Sequence, residues 1–300
     1  MNKIDYGPKN PHDIGMTLKD IMRRAIEEVW KRRIGFVGQE KIVEYKADPK
    51  DLVTDADFAA QEIFIRKLDE CFPGYGIVAE EHGFHRKCTL DGAKLFFTVD
   101  PLDGTKAFSR RQSGGFGPML SLCTEDAVIA AFVGDAMTKE LYYYRPESDK
   151  VHRLNFGDLQ YERMMIDNEL KLSEQYVVLR DNPLDVPEAY RRVAQTTKHG
   201  GLFKDIEVQG GGIGTGMARL WKREIGGYVT KSGLQMPWDL LPVWGISEKL
   251  GFICLRYDTD RKRWVERSIW PSMEPILFEG YSIFIHRSRF IEFTARADGI

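Results

Sequence analysis

The stretch Phe97-Thr98-Val99-Asp100-Pro101-Leu102-Asp103-Gly104-Thr105-Lys106 decides how this chain folds. It begins as a buried strand, because residues 94–99 are rich in apolar, β-prone types and contain no turn former. Proline has no backbone N–H and biases the preceding residue away from helix, so we predict that the strand breaks at Asp100-Pro101. Asp100 and Asp103 then project from a sharp turn, and a short helix with free N–H groups begins at Gly104-Thr105.

Two carboxylates beside exposed amides suit a metal ion that is bound to a phosphate. Carboxylate oxygens are ligands for a hard cation, and the N–H groups at a helix start bind an anion. A second interpretation stays open for this stretch alone: Asp100 and Asp103 only cap the backbone of an Asx-type turn.

The composition is that of an ordinary globular enzyme, with 300 residues, 43% hydrophobic and 29% charged side chains, and a net charge of −2. This balance argues against a nucleic-acid polymer or a membrane as partner. None of the four cysteines forms a C-x-x-C pair, and the N-terminus lacks an apolar signal core. We therefore expect a cytoplasmic protein that acts on a small molecule.

Three further acids lie at the ends of predicted elements. Asp57 fits a capping box with Thr54 at the start of a helix, Glu80 follows a short strand at residues 77–79, and Asp239 lies in the first turn of a later helix. Each has a local explanation, as a cap, a solvated strand end or a favourable helix-dipole partner.

The two halves of the chain differ in pattern. Residues 117–155 alternate strand-like runs with turns, as in an antiparallel meander, whereas the part after 175 alternates strand and helix signals. We predict an α+β metal-binding half at 1–170 and an α/β half at 171–300, packed as one catalytic unit. The glycine run 210–216 contains no G-x-G-x-x-G register, so we interpret it as a helix entry near the substrate and not as a dinucleotide site.

The five acids are hard to explain separately if they meet in one cleft. Two carboxylates about 4 Å apart repel by roughly 4 kcal/mol at an effective dielectric constant near 20. Gathering several of them requires cations, and an all-oxygen ligand set selects Mg²⁺ or Mn²⁺ over zinc.

Four blocks of sequence resemble the inositol monophosphatase superfamily of magnesium-dependent, lithium-sensitive phosphatases. They are Asp51-Leu52-Val53-Thr54-x-x-Asp57, Ala79-Glu80-Glu81, Asp100-Pro101-Leu102-Asp103-Gly104-Thr105 and Trp238-Asp239. The resemblance implies a layered αβαβα sandwich, with an antiparallel sheet in the first half and an α/β second half. It also implies two or three Mg²⁺ ions, and a homodimer as in many family members.

The resemblance further implies a role for each matched residue. Glu80, Asp100 and the Leu102 carbonyl would bind the activating metal, Asp100, Asp103 and Asp239 a second metal, and Asp57 would help with a third. Thr105, supported by Asp57, would orient the attacking water. For the phosphate and the substrate, the implied residues are Gly104, Thr105, Asp103, Lys46, Gly214, Thr215 and Lys231.

The substrate class stays open. Inositol- and histidinol-phosphate enzymes place an acid near position 231, where this chain has Lys231, and Lys106 and Arg110 are similar to the basic run of bisphosphate nucleotidases. Lysine favours a second anionic group. The first hypothesis is a phosphatase of the inositol-phosphate type, with a 3′(2′),5′-bisphosphate nucleotidase or sugar bisphosphatase as the alternative. A non-catalytic metal- or phosphate-binding protein is the alternative from another class.

Overall fold

The computed structural model describes residues 4–35, 38–41, 51–91, 94–166 and 169–297, without the side chains of 38–41, 51 and 52. Its helices are α1 (Pro11–Arg32), α2 (Asp55–Cys71), α3 (Thr105–Ser109), α4 (Glu188–Ala194), α5 (Ile213–Trp221), α6 (Pro237–Lys249) and α7 (Phe290–Ala297). Short 3₁₀ turns occur at Glu81–Gly83, Leu172–Glu174, Thr197–His199 and Arg287–Arg289.

The first large sheet has eight strands and is antiparallel except for one parallel pair. In spatial order its strands are β10 (Tyr161–Arg163), β9 (His152–Asn155), β8 (Glu140–Tyr144), β7 (Val128–Asp135), β6 (Gly117–Cys123), β5 (Phe96–Asp103), β3 (Gly76–Ala79) and β4 (His85–Arg86). The parallel pair is β3 with β5. The predicted meander from residue 117 onward is thus confirmed as β6, β7, β8 and β9.

The second large sheet has six strands and is mixed. Its order is β12 (Asp205–Val208), β11 (Tyr176–Leu179), β13 (Gly227–Thr230), β18 (Ser282–His286), β15 (Phe252–Asp258) and β16 (Arg263–Glu266). The strands β12, β11 and β13 are parallel, and the rest pair antiparallel. Two small two-stranded sheets pair β1 (Gly38–Lys41) with β2 (Asp51–Thr54), and β14 (Gly233–Gln235) with β17 (Ile276–Phe278).

Side chains alternate between the two faces of each strand, so each large sheet packs against helices on both faces and the fold has five layers. In β5, Phe97 and Val99 pack with apolar residues of α1 and α2, whereas Phe96 belongs to the core that contains α5 and α6. The other side of α5 and α6 covers the second sheet through Tyr228, and the far face of that sheet, with Val229, packs against α4 and α7. The order αβαβα and the mixed α+β class that the sequence predicted are confirmed.

The strand β5 runs through Asp100-Pro101 and does not end there. Its pairing with β6 shifts register between Asp100 and Asp103, and the N–H of Leu102 donates to Asp100 Oδ1 at 2.9 Å. Because Pro101 has no N–H, the ladder is interrupted and a bulge forms, but the chain stays extended up to Asp103. The prediction of a broken strand was therefore wrong in its end point and right about the irregularity.

The helix α1 begins at Pro11. Asn10 caps it by accepting from the N–H of Asp13 at 2.9 Å, while Thr17 lies inside the helix and Asp20 binds Arg23 and Arg24. The spacing of Thr17 and Asp20 would also fit a capping box, but both residues lie inside the helix because Pro11 is pre-organised for the first helical position and starts it earlier. None of the helices within the described residues has the length and apolar character that crossing a membrane requires.

Candidate active site

Three carboxylates from distant parts of the chain meet between the two large sheets. Asp100 and Asp103 come from the end of β5, and Asp239 comes from the first turn of α6. One carboxylate oxygen of each lies within 4.8 Å of the others. The sequence prediction that these acids share one cleft is met by the geometry for these three.

The backbone of α5 holds Asp103. The N–H of Ile213 donates to its Oδ1 at 3.0 Å, and the N–H of Gly214 donates to its Oδ2 at 2.6 Å. Free N–H groups at a helix start favour a negative charge there. The glycine run that the sequence analysis placed near the substrate therefore contacts a predicted metal ligand directly.

Glycine is required at this contact because the backbones approach too closely for side chains. A Cβ on Gly212 would lie 2.2 Å from Asp103 Oδ2, and a Cβ on Gly104 would lie 2.3 Å from the carbonyl oxygen of Gly115. Gly104 also has a φ of 92°, which L-residues rarely adopt. The glycines thus allow the end of β5 and the start of α5 to close around Asp103.

The electrostatics of the cluster fit a divalent cation. Burial, followed by the charges of Glu80, Asp239 and Asp103, raises the pKa of Asp100 well above its ordinary value. Burial and Asp239 raise the pKa of Asp103 to about 7, although Arg180 and the two N–H donors act in the opposite direction. Buried carboxylates that repel one another are what a hard cation with oxygen ligands stabilises, so the residues present fit Mg²⁺ or Mn²⁺.

A second group of side chains links α2 to α3. Thr54 donates to Asp57 Oδ2 from its backbone N–H and from its hydroxyl, both at 2.6 Å, which confirms the predicted capping box. Thr105 Oγ1 donates to Asp57 Oδ1 and is also 3.1 Å from the Leu102 carbonyl oxygen. Burial, the first cause, raises the pKa of Asp57 to about 6, with the charge of Glu80 acting in the same direction.

The two adjacent glutamates, Glu80 and Glu81, lie in a turn after β3 and have different surroundings. Glu81 is buried and its N–H is held by the side chain of Gln61 at 2.8 Å. Glu80 is half-buried, and its charge raises the pKa of Asp57 and Asp100, which places it at the acidic cleft.

Of the predicted substrate residues, Gly214 contacts Asp103 directly, and the roles of all of them stay predictions. Gly104 begins α3, and Thr215 is buried in the first turn of α5 beside Gly214. Lys231 is exposed in the link between β13 and β14, and Lys46 lies outside the described residues.

One charged residue at the cleft was missed by the sequence analysis. Arg180 follows β11, and its Nη2 donates to the Gly211 carbonyl at 2.6 Å. Its positive charge lowers the pKa of Asp103. The sequence signal that could have identified Arg180 is a basic residue directly after a predicted strand. The order of the strands along the chain does not show that the end of this strand faces β5.

The model of the inositol monophosphatase family matches residues 12–268. This chain belongs to the inositol monophosphatase family. The matched range contains all the predicted site residues, from Lys46 to Asp239.

Curated members of the family match over shorter segments. The inositol-1-monophosphatase of Bacillus subtilis is 28% identical over 126 residues, which are 42% of this chain and 46% of that protein. The Nus factor SuhB of Pseudomonas aeruginosa is 39% identical over 61 residues, 20% of this chain and 22% of that protein. The alignments with these relatives thus span about half of their length or less.

Solved structures match the whole fold. SuhB from Bartonella henselae superimposes with a TM-score of 0.70 at 17% identity, over 96% of this chain and 100% of that one. The Thermotoga maritima IMPase superimposes with a TM-score of 0.68 at 19% identity, over 95% of this chain and 96% of that one. At such identities the likeness shows the layered fold that this inositol monophosphatase family member adopts.

Proposed function

We propose that this protein is a magnesium-dependent phosphatase that hydrolyses a small phosphate monoester by direct attack of water. The observation that carries the proposal is the Asp100–Asp103–Asp239 cluster, whose oxygens lie within 4.8 Å of one another. Family membership supports a phosphatase of this superfamily.

The donor set allows two or three Mg²⁺ ions. Glu80, Asp100 and the Leu102 carbonyl would hold one, Asp103 and Asp239 together with Asp100 a second, and Asp57 would help with a third. Bound divalent ions neutralise phosphate charge and make a water more acidic. A structural relative described as an IMPase/NADP phosphatase was solved with Mg²⁺ and phosphate, which agrees with this choice of ion.

The protein's own contribution to the attack is the Thr105–Asp57 pair. Because the Thr105 hydroxyl donates its proton to Asp57, its oxygen lone pairs remain available to accept a hydrogen bond from a water. That acceptance fixes the orientation of the water, and Thr54 fixes Asp57 in turn. The N–H groups of Gly104 and Thr105, at the start of α3, are proposed to hold the phosphate, with Lys46 near it.

We propose that Gly214, Thr215 and Lys231, in the second half of the chain, contact the part of the substrate that is not transferred. An inositol phosphate is the first candidate substrate, since the Bacillus subtilis relative is named an inositol-1-monophosphatase. A nucleoside 3′,5′-bisphosphate or a sugar bisphosphate is the second, because Lys231 replaces an acid. Sensitivity to lithium, a homodimer and a cytoplasmic location are carried forward as predictions from the family resemblance.

The test is phosphate release from inositol 1-phosphate, adenosine 3′,5′-bisphosphate, fructose 1,6-bisphosphate and histidinol phosphate. We expect turnover with Mg²⁺, none after chelation with EDTA, and inhibition by added lithium. Asp103→Asn should abolish turnover while the circular dichroism spectrum is retained, and Asp126→Asn, in the exposed β6–β7 turn, is the matched control.

Two results would contradict the proposal. Near-wild-type activity of Asp103→Asn would show that the site is elsewhere. Binding of Mg²⁺ and inorganic phosphate without hydrolysis of any ester would favour the non-catalytic alternative.

A further inference from the structure

Two polar residues lie side by side where adjacent parallel strands of the second sheet end. Leu179 of β11 pairs with Val229 of β13, so Arg180 and Thr230 are the next residues along the two strands. Side chains alternate between the faces of a sheet. Leu179 and Val229 face α4 and α7, and Arg180 and Thr230 therefore lie on the opposite face, towards α5 and α6.

Arg180 has hydrogen-bonding capacity to spare. A guanidinium carries five N–H donors. Within the described residues, the structure shows one hydrogen bond from this group, to the Gly211 carbonyl at 2.6 Å. The side chain is part-buried, and no other hydrogen bond of its N–H groups is found with the residues that the structure describes, so these donors can bind an acceptor that enters the cleft.

The hydroxyl of Thr230 is the second observation. The residue is 3% exposed, and its Oγ1 has no hydrogen-bond partner among the residues that the structure describes. A buried hydroxyl without a partner is unfavourable, and such groups in folded proteins are usually satisfied. A ligand oxygen at these strand ends would supply the missing partner.

The charge balance indicates what kind of ligand fits. Burial lowers the pKa of Arg180, and the charges of Tyr228, Asp103, Asp239 and Asp181 raise it, so three acids balance the guanidinium when no cation is bound. Once divalent cations neutralise Asp103 and Asp239, the guanidinium loses two of these three acidic partners. An anionic group between Arg180 and the metal site would balance it.

We propose that Arg180 and Thr230 together bind an anionic group on the part of the substrate that is not transferred. This inference rests on the proposed function and, within it, favours phosphate monoesters that carry a second phosphate or a carboxylate over inositol 1-phosphate, which carries neither. Lys231 is the competing residue for this role. It is exposed in the β13–β14 link, where solvent weakens its interaction with an anion.

The test compares substrates that differ by one anionic group. Adenosine 3′,5′-bisphosphate against adenosine 3′-monophosphate tests a second phosphate, and 3-phosphoglycerate against glycerol 3-phosphate tests a carboxylate. For each pair, kcat/KM is measured with Mg²⁺ for the wild type and the variants. The ratio reported is the value for the substrate with the extra anionic group divided by the value for the substrate without it. The pair with the larger ratio identifies which anion the site prefers.

Arg180→Met should lower that ratio about tenfold or more, mainly through KM, because it removes charged hydrogen bonds to the second anion. Arg180→Lys should retain part of the preference. Thr230→Val should lower the ratio several-fold, and Thr230→Ser should restore it. Arg192→Met, on the exposed surface of α4, is the matched control and should leave the ratio unchanged.

Three outcomes would overturn the inference: a wild type without preference in either pair, an equal loss for both members of a pair in Arg180→Met, or a ratio that changes only in Lys231→Met. An equal loss of kcat/KM for both members of a pair would mean that Arg180 only supports the glycine run 210–216.

If the wild type hydrolyses neither these four esters nor those of the panel that tests the proposed function, the proposed function fails. Calorimetric binding of adenosine 3′,5′-bisphosphate and adenosine 3′-monophosphate with Mg²⁺ then tests the inference separately. A preference that Arg180→Met removes would support it, and equal affinities would overturn it.

Discussion

The first sheet contains two buried carboxylate sites with opposite electrostatics. Glu140 in β8 is 4% exposed, and it accepts hydrogen bonds from Arg153, with Nε at 3.0 Å, and from the hydroxyl of Tyr142. Burial would raise its pKa, but these donors and the charge of Arg153 lower it below its ordinary value. Asp103 in β5 is buried to a similar degree, and its pKa is raised to about 7 by burial and by Asp239.

The opposite pKa shifts distinguish a structural ion pair, at Glu140, from a site that requires metal ions, at Asp103. Glu140 is neutralised by a side chain of the same sheet, so its charge is satisfied within the fold. Asp100, Asp103 and Asp239 are gathered with more negative charge than Arg180 can balance. A fold keeps such an arrangement at a cost in stability, which is typical of functional sites.

The largest expected effect is a difference in catalytic activity between variants of the two sites. Asp239→Asn should lower kcat/KM by roughly a hundredfold or more, because it removes a ligand from ions that are worth several kcal/mol in the transition state. Glu140→Gln should stay within a few-fold of the wild type at a temperature where it is folded. Steady-state phosphate release measures both, and comparable losses would remove the functional distinction between the two sites.

The next effect is on folding. Arg153→Met should lower the free energy of unfolding by about 2–3 kcal/mol, which is less than the roughly 3–5 kcal/mol for breaking a fully buried ion pair, since Arg153 is partly exposed. Urea denaturation measures the loss. The double variant Glu140→Gln/Arg153→Met should recover part of it, and a double variant less stable than Arg153→Met would contradict the assignment as an ion pair.

The two sites should give opposite pH dependence to the metal-free protein. Asp103 and Asp57 have folded pKa values of about 7 and about 6 against an ordinary 3.8, so they bind protons more readily when folded. Their contribution is most favourable below about pH 4 and declines as the pH rises towards 7. Glu140 has a lowered folded pKa, so its contribution is present above 4.5 and is lost as the pH falls.

Melting temperatures in EDTA at pH 5 and pH 7 check this sign. Asp103→Asn should gain stability relative to the wild type at pH 7, and gain less at pH 5. Saturating Mg²⁺ should reverse the difference at pH 7. An equal shift at both pH values would show that the raised pKa of Asp103 does not affect folding.

The smallest effect concerns the support of Asp57. Thr54→Val removes the hydroxyl that donates to Asp57 and caps α2, and should cost about 1 kcal/mol in stability. Thr54→Ser keeps the hydroxyl and should restore most of it. Chemical denaturation of the two variants measures the difference, and an equally stable Thr54→Val would mean that the cap is not needed.

Local chemistry made much of the fold predictable. The capping box at Thr54–Asp57, the apolar run that became β5 and the strand–helix alternation from residue 176 to 258 follow from propensity and periodicity. The pairing of β14 with β17 and the helix α7 were not anticipated. Their segments are short and partly exposed, so they carry little periodic signal, and their formation depends on neighbours that are distant in sequence.

The candidate site likewise has features that local sequence predicts and features that depend on distant contacts. Sequence by itself determined which acids stand at element ends, because carboxylates after a strand, at a helix cap or in a first helical turn are recognisable locally. Only the tertiary structure decided that the start of α5 binds Asp103 and that Arg180 binds the Gly211 carbonyl. The physical reason is that these contacts join residues that are 31 to 111 positions apart, and the close backbone approach that glycine permits has no signature in a single strand or helix.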